Sequence, residues 1–443
     1  MLGGSGGNVG DDVSERSRPR FHPLYGRLSD ELHSRPAPVL RAPCRISHLA
    51  LLTDAAGLLR SLELVGELCR RYGAPPPFRE HHHEAELDGF ELRYERHTEF
   101  YGLTLLRRGS ESPPFDASPL ELVPADWLAA LPGEVVAATH IALAAAKEPP
   151  EPPAIERMFE GQRVRAAEVM DGAARVWTDW RPHGDGFTRF YVQAAESDPL
   201  RLGRLVQRLL ELDTYRMMAL LALPVARALA PELGELERRL TELTARIAPL
   251  RDIEEERAIL AELFELAAAS ERRAAESVFR FAATRAYRQL VVDRLEELRE
   301  RRLEPWQPLG QFLARRFEPA MRTCEAVERR LSRLSTRVAR AADLVRTRVD
   351  VELQEQNQKL LASMERRAAL QLRLQETVEG LSVVVLSYYA VGLLSYVLGL
   401  AKPFGLDESS KAALVGGAVP LVVGAVWLAL ARMRRRLRAR FGD

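Results

Sequence analysis

Two uncharged apolar stretches, residues 381–401 and 412–431, lie near the C-terminal end of this sequence, separated only by the polar link 402–411. Each holds about 20 residues, which at roughly 1.5 Å per residue spans the roughly 30 Å hydrocarbon core of a bilayer. A chain crossing lipid must satisfy its own backbone groups, so runs of this length are helices. The pattern predicts a C-terminal two-helix transmembrane hairpin: transmembrane helix 1 at 381–401, an exterior loop at 402–411 and transmembrane helix 2 at 412–431.

Charge sets the orientation. Directly after the second stretch come Arg432, Arg434, Arg435, Arg436, Arg438 and Arg440, whereas the link carries Lys402, Asp407, Glu408 and Lys411, which cancel. Arg366, Arg367 and Arg373 precede the first stretch. Positive flanks stay inside, so both termini are expected in the cytoplasm. The basic tail 432–443 is expected to lie on anionic lipid, each arginine contributing roughly 1 kcal/mol. The bilayer is thus the first expected partner.

The formal net charge of +1 provides no global field to recruit nucleic acid, and none is expected as a partner. Three widely spaced cysteines, Cys44, Cys69 and Cys324, suit a reducing compartment and make neither a disulfide framework nor a paired zinc site. Residues 1–20, with Gly3, Gly4, Gly6 and Gly7 before a charged run, read as a disordered tail without the apolar region of a cleaved signal peptide.

From Phe21 to about Glu196 the periodicity changes often, and from Asp198 onward it turns helical. Residues 21–197 read as an α+β (mixed α/β) cytoplasmic domain. Strands are expected at 46–52, within 90–106, at 134–146, and at 175–181 and 187–193 around the turn His183-Gly184-Asp185-Gly186. A helix over 54–71 has Asp54 as its cap. From Asp198-Pro199 onward, 198–380 reads as a helical or coiled-coil stalk with a kink at Pro224 and breaks at Pro231, Pro249 and 304–308. From about Pro319 the apolar spacing through Leu331, Leu334, Val338, Ala341, Val345, Val349, Leu353, Leu360 and Met364 is heptad-like with one register shift. A single rod of roughly 80 residues, about 120 Å, would run into the first span.

Several groups could carry chemistry. In 92–100, strand alternation puts Arg93, Glu95, His97 and Glu99 on one face. A histidine between two carboxylates suits acid/base work or metal binding; a ladder of ion pairs, with Asp179 and Arg181 on a neighbouring strand, is the plainer reading. No nucleophile with its base and no phosphate loop accompanies Glu95, His97 and Glu99, so they are weak catalytic candidates, no cofactor is expected and the chain does not read as an enzyme. His81, His82 and His83 read as a polar connection, because neighbours on a strand face opposite ways. Arg204, Arg208, Glu211, Tyr215 and Arg216 share one side of a helix and read as the joint between sheet domain and stalk.

Near the membrane, Gln375, Ser382, Tyr389 and Tyr396 recur every seven residues. Polar groups are costly in lipid, so this stripe is expected to face partner helices or a pore. Gly416, Pro420 and Gly424, four apart, give the second span a smooth face for close helix packing.

Longer strings carry a resemblance. Glu95-Arg96-His97-Thr98-Glu99-Phe100, LVQRLLELDTYRMMALLALP at 205–224, RTRVDVELQEQN at 346–357 and QLRLQETVEGLSVVVLSYY at 371–389 resemble an uncharacterised family of bacterial membrane-anchored proteins, domain of unknown function 3422. The resemblance implies a membrane anchor and brings no activity or site residues; the two spans and their charge pattern make the bacterial inner membrane, multi-pass, the expected location. The order of elements is also similar in plan to CorA-type divalent-cation channels, which are homo-oligomers. Where those carry Gly-Met-Asn, this chain reads Leu398-Gly399-Leu400-Ala401-Lys402, and Lys402 at a pore mouth would oppose cations. The expectation is a membrane-tethered, homo-oligomeric sensor or scaffold, with a CorA-like channel second and an enzyme third. These residues specify no ion or small-molecule ligand.

Overall fold

Alternating burial along strands and three-to-four spacing along helices divide the chain into one mixed sheet with its helices and a long helical region. The structure, a computed structural model, describes residues 21–26, 28–29, 36–78, 81–109, 113–146, 148–194, 198–247, 252–399 and 408–441, without the side chains of 408–411 and 434–441. The expected disordered tail and the exterior loop up to residue 407 lie outside the described residues.

The sheet elements are β1 Cys44–Leu52, α1 Ala55–Arg71, β2 His82–Leu87, β3 Phe90–Arg96, β4 Phe100–Arg108, α2 Ala125–Ala129, β5 Glu134–Ala144, α3 Pro152–Met158, β6 Arg165–Val169, β7 Ala174–Pro182 and β8 Thr188–Gln193. Asp54 caps α1 by accepting the Gly57 N–H at 2.8 Å. Then come α4 Pro199–Leu220, α5 Ala222–Ile247, α6 Ile253–Leu298, the two-residue β9 Arg301–Arg302, α7 Leu309–Gly399 and α8 Glu408–Phe441. The nine strands run in the order β2-β3-β4-β1-β5-β8-β7-β6-β9. Only β5 and β8 pair in parallel; all other neighbours are antiparallel.

Both faces of the sheet are covered. Ile46, Ala50, Ile141, Phe190 and Val192 pack on one side with Leu205, Leu209 and Leu212 of α4 and Leu309, Leu313 and Phe317 of α7. On the other, Trp127 packs with α1 over β3 and β4, and Ile155 and Phe159 pack with Trp177 and Tyr191 over the far strands. A sheet covered on both faces reads as long apolar strands, and β4 is buried from Phe100 to Leu106.

Two compact units divide the chain, one of 1–246 with 262–341, the other of 247–261 with 342–443. The change at 197/198 is therefore a change of secondary structure inside the first unit. Two expected features of the helical region differ. Pro231 does not break the chain but lies inside α5. Pro224 falls in the first turn of α5, where its missing N–H costs nothing, and the break comes instead at Leu221. The rod is the single continuous helix expected, 91 residues long because it starts at Leu309 and passes through Pro319.

Within the first unit, Leu331, Leu334, Val338 and Ala341 of α7 are buried, as a packed seam requires. In the second unit Val345 and Val349 are buried, and Arg348 meets Glu256 at 3.0 Å and donates to the Ile247 carbonyl at 2.8 Å. Beyond Val349 the apolar spacing continues but the burial stops: Leu360, Met364 and Leu370 are exposed.

Candidate functional site

In the first unit a cleft between the sheet and α4 brings ionisable groups together from several elements. It has a volume of about 40 Å³ and is lined by His48 of β1, Arg93 and Glu95 of β3, Thr104 of β4, the turn residue His97, and Gln207, Glu211, Thr214 and Tyr215 of α4. That volume holds on the order of three waters. The segment at 36–40 closes one wall: Leu40 N–H donates to the Pro199 carbonyl at 3.0 Å and Arg93 donates to the Pro36 carbonyl. Gly203 allows this approach, because a Cβ there would meet the Pro38 carbonyl oxygen at 1.5 Å.

His48 lies at the bottom. Its cross-strand neighbour Thr104 holds Nδ1 at 2.8 Å through Oγ1, and Thr214 Oγ1 of α4 lies 3.3 Å from Nε2. Burial pushes the imidazole down to about 4, against the opposing pull of Asp213, so the ring is neutral at pH 7. Gly102 makes room for it: a Cβ there would stand 3.0 Å from the ring carbon Cε1. Asp213 itself is buried and accepts from Thr139 Oγ1 at 2.7 Å while pairing with Arg216 at 2.6 Å. Sheet and α4 are thus joined by hydrogen bonds as well as by apolar packing.

The four alternating residues of the β3 region divide. Arg93, Glu95 and His97 line the cleft. Glu99 does not, because β3 ends at Arg96 and the His97 N–H bonds back to the Phe100 carbonyl at 2.9 Å, which turns the chain. Glu99 is instead gripped by Arg280 of α6 through contacts of 2.6 and 3.3 Å. His97 stacks on Phe100, with ring centroids 4.1 Å apart. The sheet order separates β3 from β7, so the ion-pair ladder forms with β2: Glu84 meets Arg93 at 2.9 Å and His82 lies 4.0 Å from Glu95. Asp179 sits 3.1 Å from His183 instead.

Of the three adjacent histidines, His82 and His83 open β2 rather than a connection; His82 meets Glu84 at 2.9 Å and His83 meets Cys69 at 3.4 Å. Among the described residues no group of three His, Cys, Asp or Glu side chains is placed to hold a metal ion. On α4, Arg208 pairs with Glu297 at 2.6 Å, Glu211 pairs with Arg294, and Tyr215 stacks on Tyr287 at 5.8 Å, so this helix side faces α6.

In the second unit, Gln375, Tyr389 and Tyr396 of α7 are exposed and Ser382 half-buried, its hydroxyl donating to the Val378 carbonyl at 2.8 Å. That bond within the helix is the usual way a serine hydroxyl is satisfied in an apolar segment. Nothing lies within 4 Å of a Cβ built on Gly416 or Gly424, and Pro420 is inside α8. Arg432 is exposed, while the side chains of Arg434, Arg435, Arg436, Arg438 and Arg440 lie outside the described residues. Two helical segments here are long and apolar enough to cross a membrane, one within α7 and one at Ala412–Met433. The stretch Pro199–Ile247 meets the same criterion, but its Leu205, Leu209 and Leu212 are spent in the sheet core.

His48 was the residue the sequence concealed. The signal was a polar side chain at the inward position between Ile46 and Ala50 of an apolar strand; its partner Thr214 lies 166 positions away. No curated protein matches the chain. The sequence profile of a family described as a protein of unknown function (DUF3422) matches residues 20–437, and the likeness in plan to CorA-type channels gains no support from it. With nearly its whole length matched, the chain belongs to the DUF3422 family.

Proposed function

We propose that this protein is a cytoplasmic sensor or scaffold, tethered to the bacterial inner membrane by a C-terminal transmembrane hairpin and assembled as a homo-oligomer along α7. The observation that carries the reading is uncovered apolar surface: Leu381, Leu393 and Leu421 are 66%, 66% and 76% exposed within the chain. Apolar faces of that extent are not left in water by a soluble protein. Lipid is the solvent that suits two such helices, and the arginines after residue 431 keep the tail on the cytoplasmic side.

The oligomer follows from where burial stops. The apolar seam that packs through Val349 continues, after one register shift, to the half-buried Leu353 and the exposed Leu360 and Met364, on a helix still outside the lipid. A second copy presents the same stripe and fits it as a coiled coil does. The sensing part of the reading rests on the cleft around His48, where buried ionisable groups join sheet and helix. No observation favours a pore lined by Gln375, Ser382, Tyr389 and Tyr396, since Ser382 spends its hydroxyl on its own helix.

Alkaline carbonate extraction tests the anchor. The full chain is expected in the membrane pellet, and a chain ending at Gly380 in the supernatant. Release of the full chain would overturn the tether.

A further inference from the structure

The opening turns of α4 carry Arg201, Arg204 and Arg208 at spacings of three and four, which puts all three on one helix face. Together with Met170 and Asp171 of the turn after β6, and Glu297 and Arg299 at the end of α6, they line a second cleft of about 260 Å³. Its charges do not cancel. Glu297 takes Arg208 at 2.6 Å and Asp171 takes Arg299 at 3.0 Å. Arg201 and Arg204 remain, and among the described residues neither guanidinium has a carboxylate at ion-pair distance. Asp198 is spent elsewhere, since its carboxylate accepts the backbone N–H of Leu200 and Arg201, each at 3.3 Å.

The backbone of the cleft adds a second observation. Met170, Asp171 and Arg299 have φ of 56°, 62° and 48°. The left-handed region is unfavourable for residues with a Cβ, and such positions gather where a site requires them. Here they present Asp171 and Arg299 to the same concavity.

We propose that this cleft binds a phosphoryl dianion, with Arg201 and Arg204 as its anchors and Arg208 and Arg299 flanking it. Planar guanidinium forks match phosphoryl oxygens two at a time, and an uncompensated pair of cations facing one hollow is relieved by a dianion. The volume accommodates the phosphoryl head of a ligand. The carrier is either a soluble phosphate compound or a lipid headgroup, and the chemistry of recognition is the same. The proposal is independent of the tether, because every residue it uses lies in the first unit.

The test is calorimetric titration of the full chain in detergent with inorganic pyrophosphate and, separately, with soluble dihexanoyl phosphatidic acid, at fixed ionic strength. At least one probe is expected to bind saturably, and which one binds identifies the carrier. The double variant Arg201→Ala with Arg204→Ala is expected to lose at least tenfold in affinity; Arg204→Gln alone is expected to lose about threefold. Both arginines are exposed, so folding is expected to survive, which the melting temperature checks. A control variant, Arg163→Ala with Arg315→Ala, removes two cations from a separate cleft beside Trp306 and is expected to leave binding unchanged. No binding of either probe, unchanged binding in the double variant, or an equal loss in the control would overturn the proposal.

Discussion

Glu99, on the turn between β3 and β4, is held by Arg280 of α6 across 181 positions of sequence, with contacts of 2.6 and 3.3 Å. Both side chains are largely withdrawn from water, at 10% and 19% exposed. Breaking such a pair from one side leaves an uncompensated charge, costing about 3 kcal/mol. Glu99→Gln and Arg280→Ala are each expected to lower the stability of the detergent-solubilised protein by about that much in a denaturant titration. The double variant Glu99→Leu with Arg280→Met is expected to recover most of it, since an apolar pair strands no charge. A double variant worse than either single one would contradict this account.

Stability should fall on mild acidification. Burial holds His48, and likewise His140 of β5, whose Nδ1 lies 2.8 Å from Ser47 Oγ, each down to about 4, below the ordinary histidine value of 6.5. Between those values the unfolded chain binds protons that the folded chain refuses, so stability rises with pH across the window. The contribution is fully present above about 6.5, declines as pH falls and is gone below about 4, at on the order of 3 kcal/mol per group. Denaturation midpoints measured from pH 7 to pH 4.5 check this, and His48→Gln is expected to flatten the slope by roughly half.

The close approach at Gly203 gives a stability prediction by added volume. A methyl group there would meet the Pro38 carbonyl oxygen at 1.5 Å, and backbone on both sides leaves no flexible side chain to move. Gly203→Ala is expected to destabilise by about 2 to 3 kcal/mol despite its better helix propensity, and to raise hydrogen exchange at Leu40 N–H, which bonds to Pro199. A neutral or stabilising effect would show that the segment does not dock on α4.

Oligomerisation is read from Leu360 and Met364, the exposed continuation of the buried α7 seam. Light scattering of the detergent-solubilised chain, corrected for detergent, is expected to give a multiple of 49.7 kDa. Leu360→Glu with Met364→Glu is expected to lower that multiple. A strictly monomeric species with both spans intact would count against the seam.

Much of the sheet region was legible. Strands β1, β4, β5, β7 and β8 have continuous apolar runs or clear turns, such as His183 to Gly186, and Asp54 announces α1. β2 was missed because its opening histidines mask an alternating strand that pairs only with β3. β9 has two residues and is defined by its partner β6, which no local pattern reveals. Pro231 misled because a helix packed on neighbours tolerates a proline that an isolated one would not. In the cleft, alternation placed Arg93, Glu95 and His97 together, and failed at Glu99 because the hairpin turns two residues early. His48 left only the trace of an inward polar residue in an apolar strand, and its partners Thr104 and Thr214 are brought to it by strand pairing and by helix packing over 56 and 166 positions, which no local pattern reveals.

The central claim, two spans with the folded bulk and the basic tail both inside, is tested most directly by labelling introduced cysteines in intact cells with a membrane-impermeant maleimide. The native cysteines are buried and give a low background. Ser410→Cys, between the spans, is expected to label in intact cells, and Ala439→Cys, in the tail, only after lysis. Labelling of the tail position in intact cells, or protection of the link position there, would contradict the account.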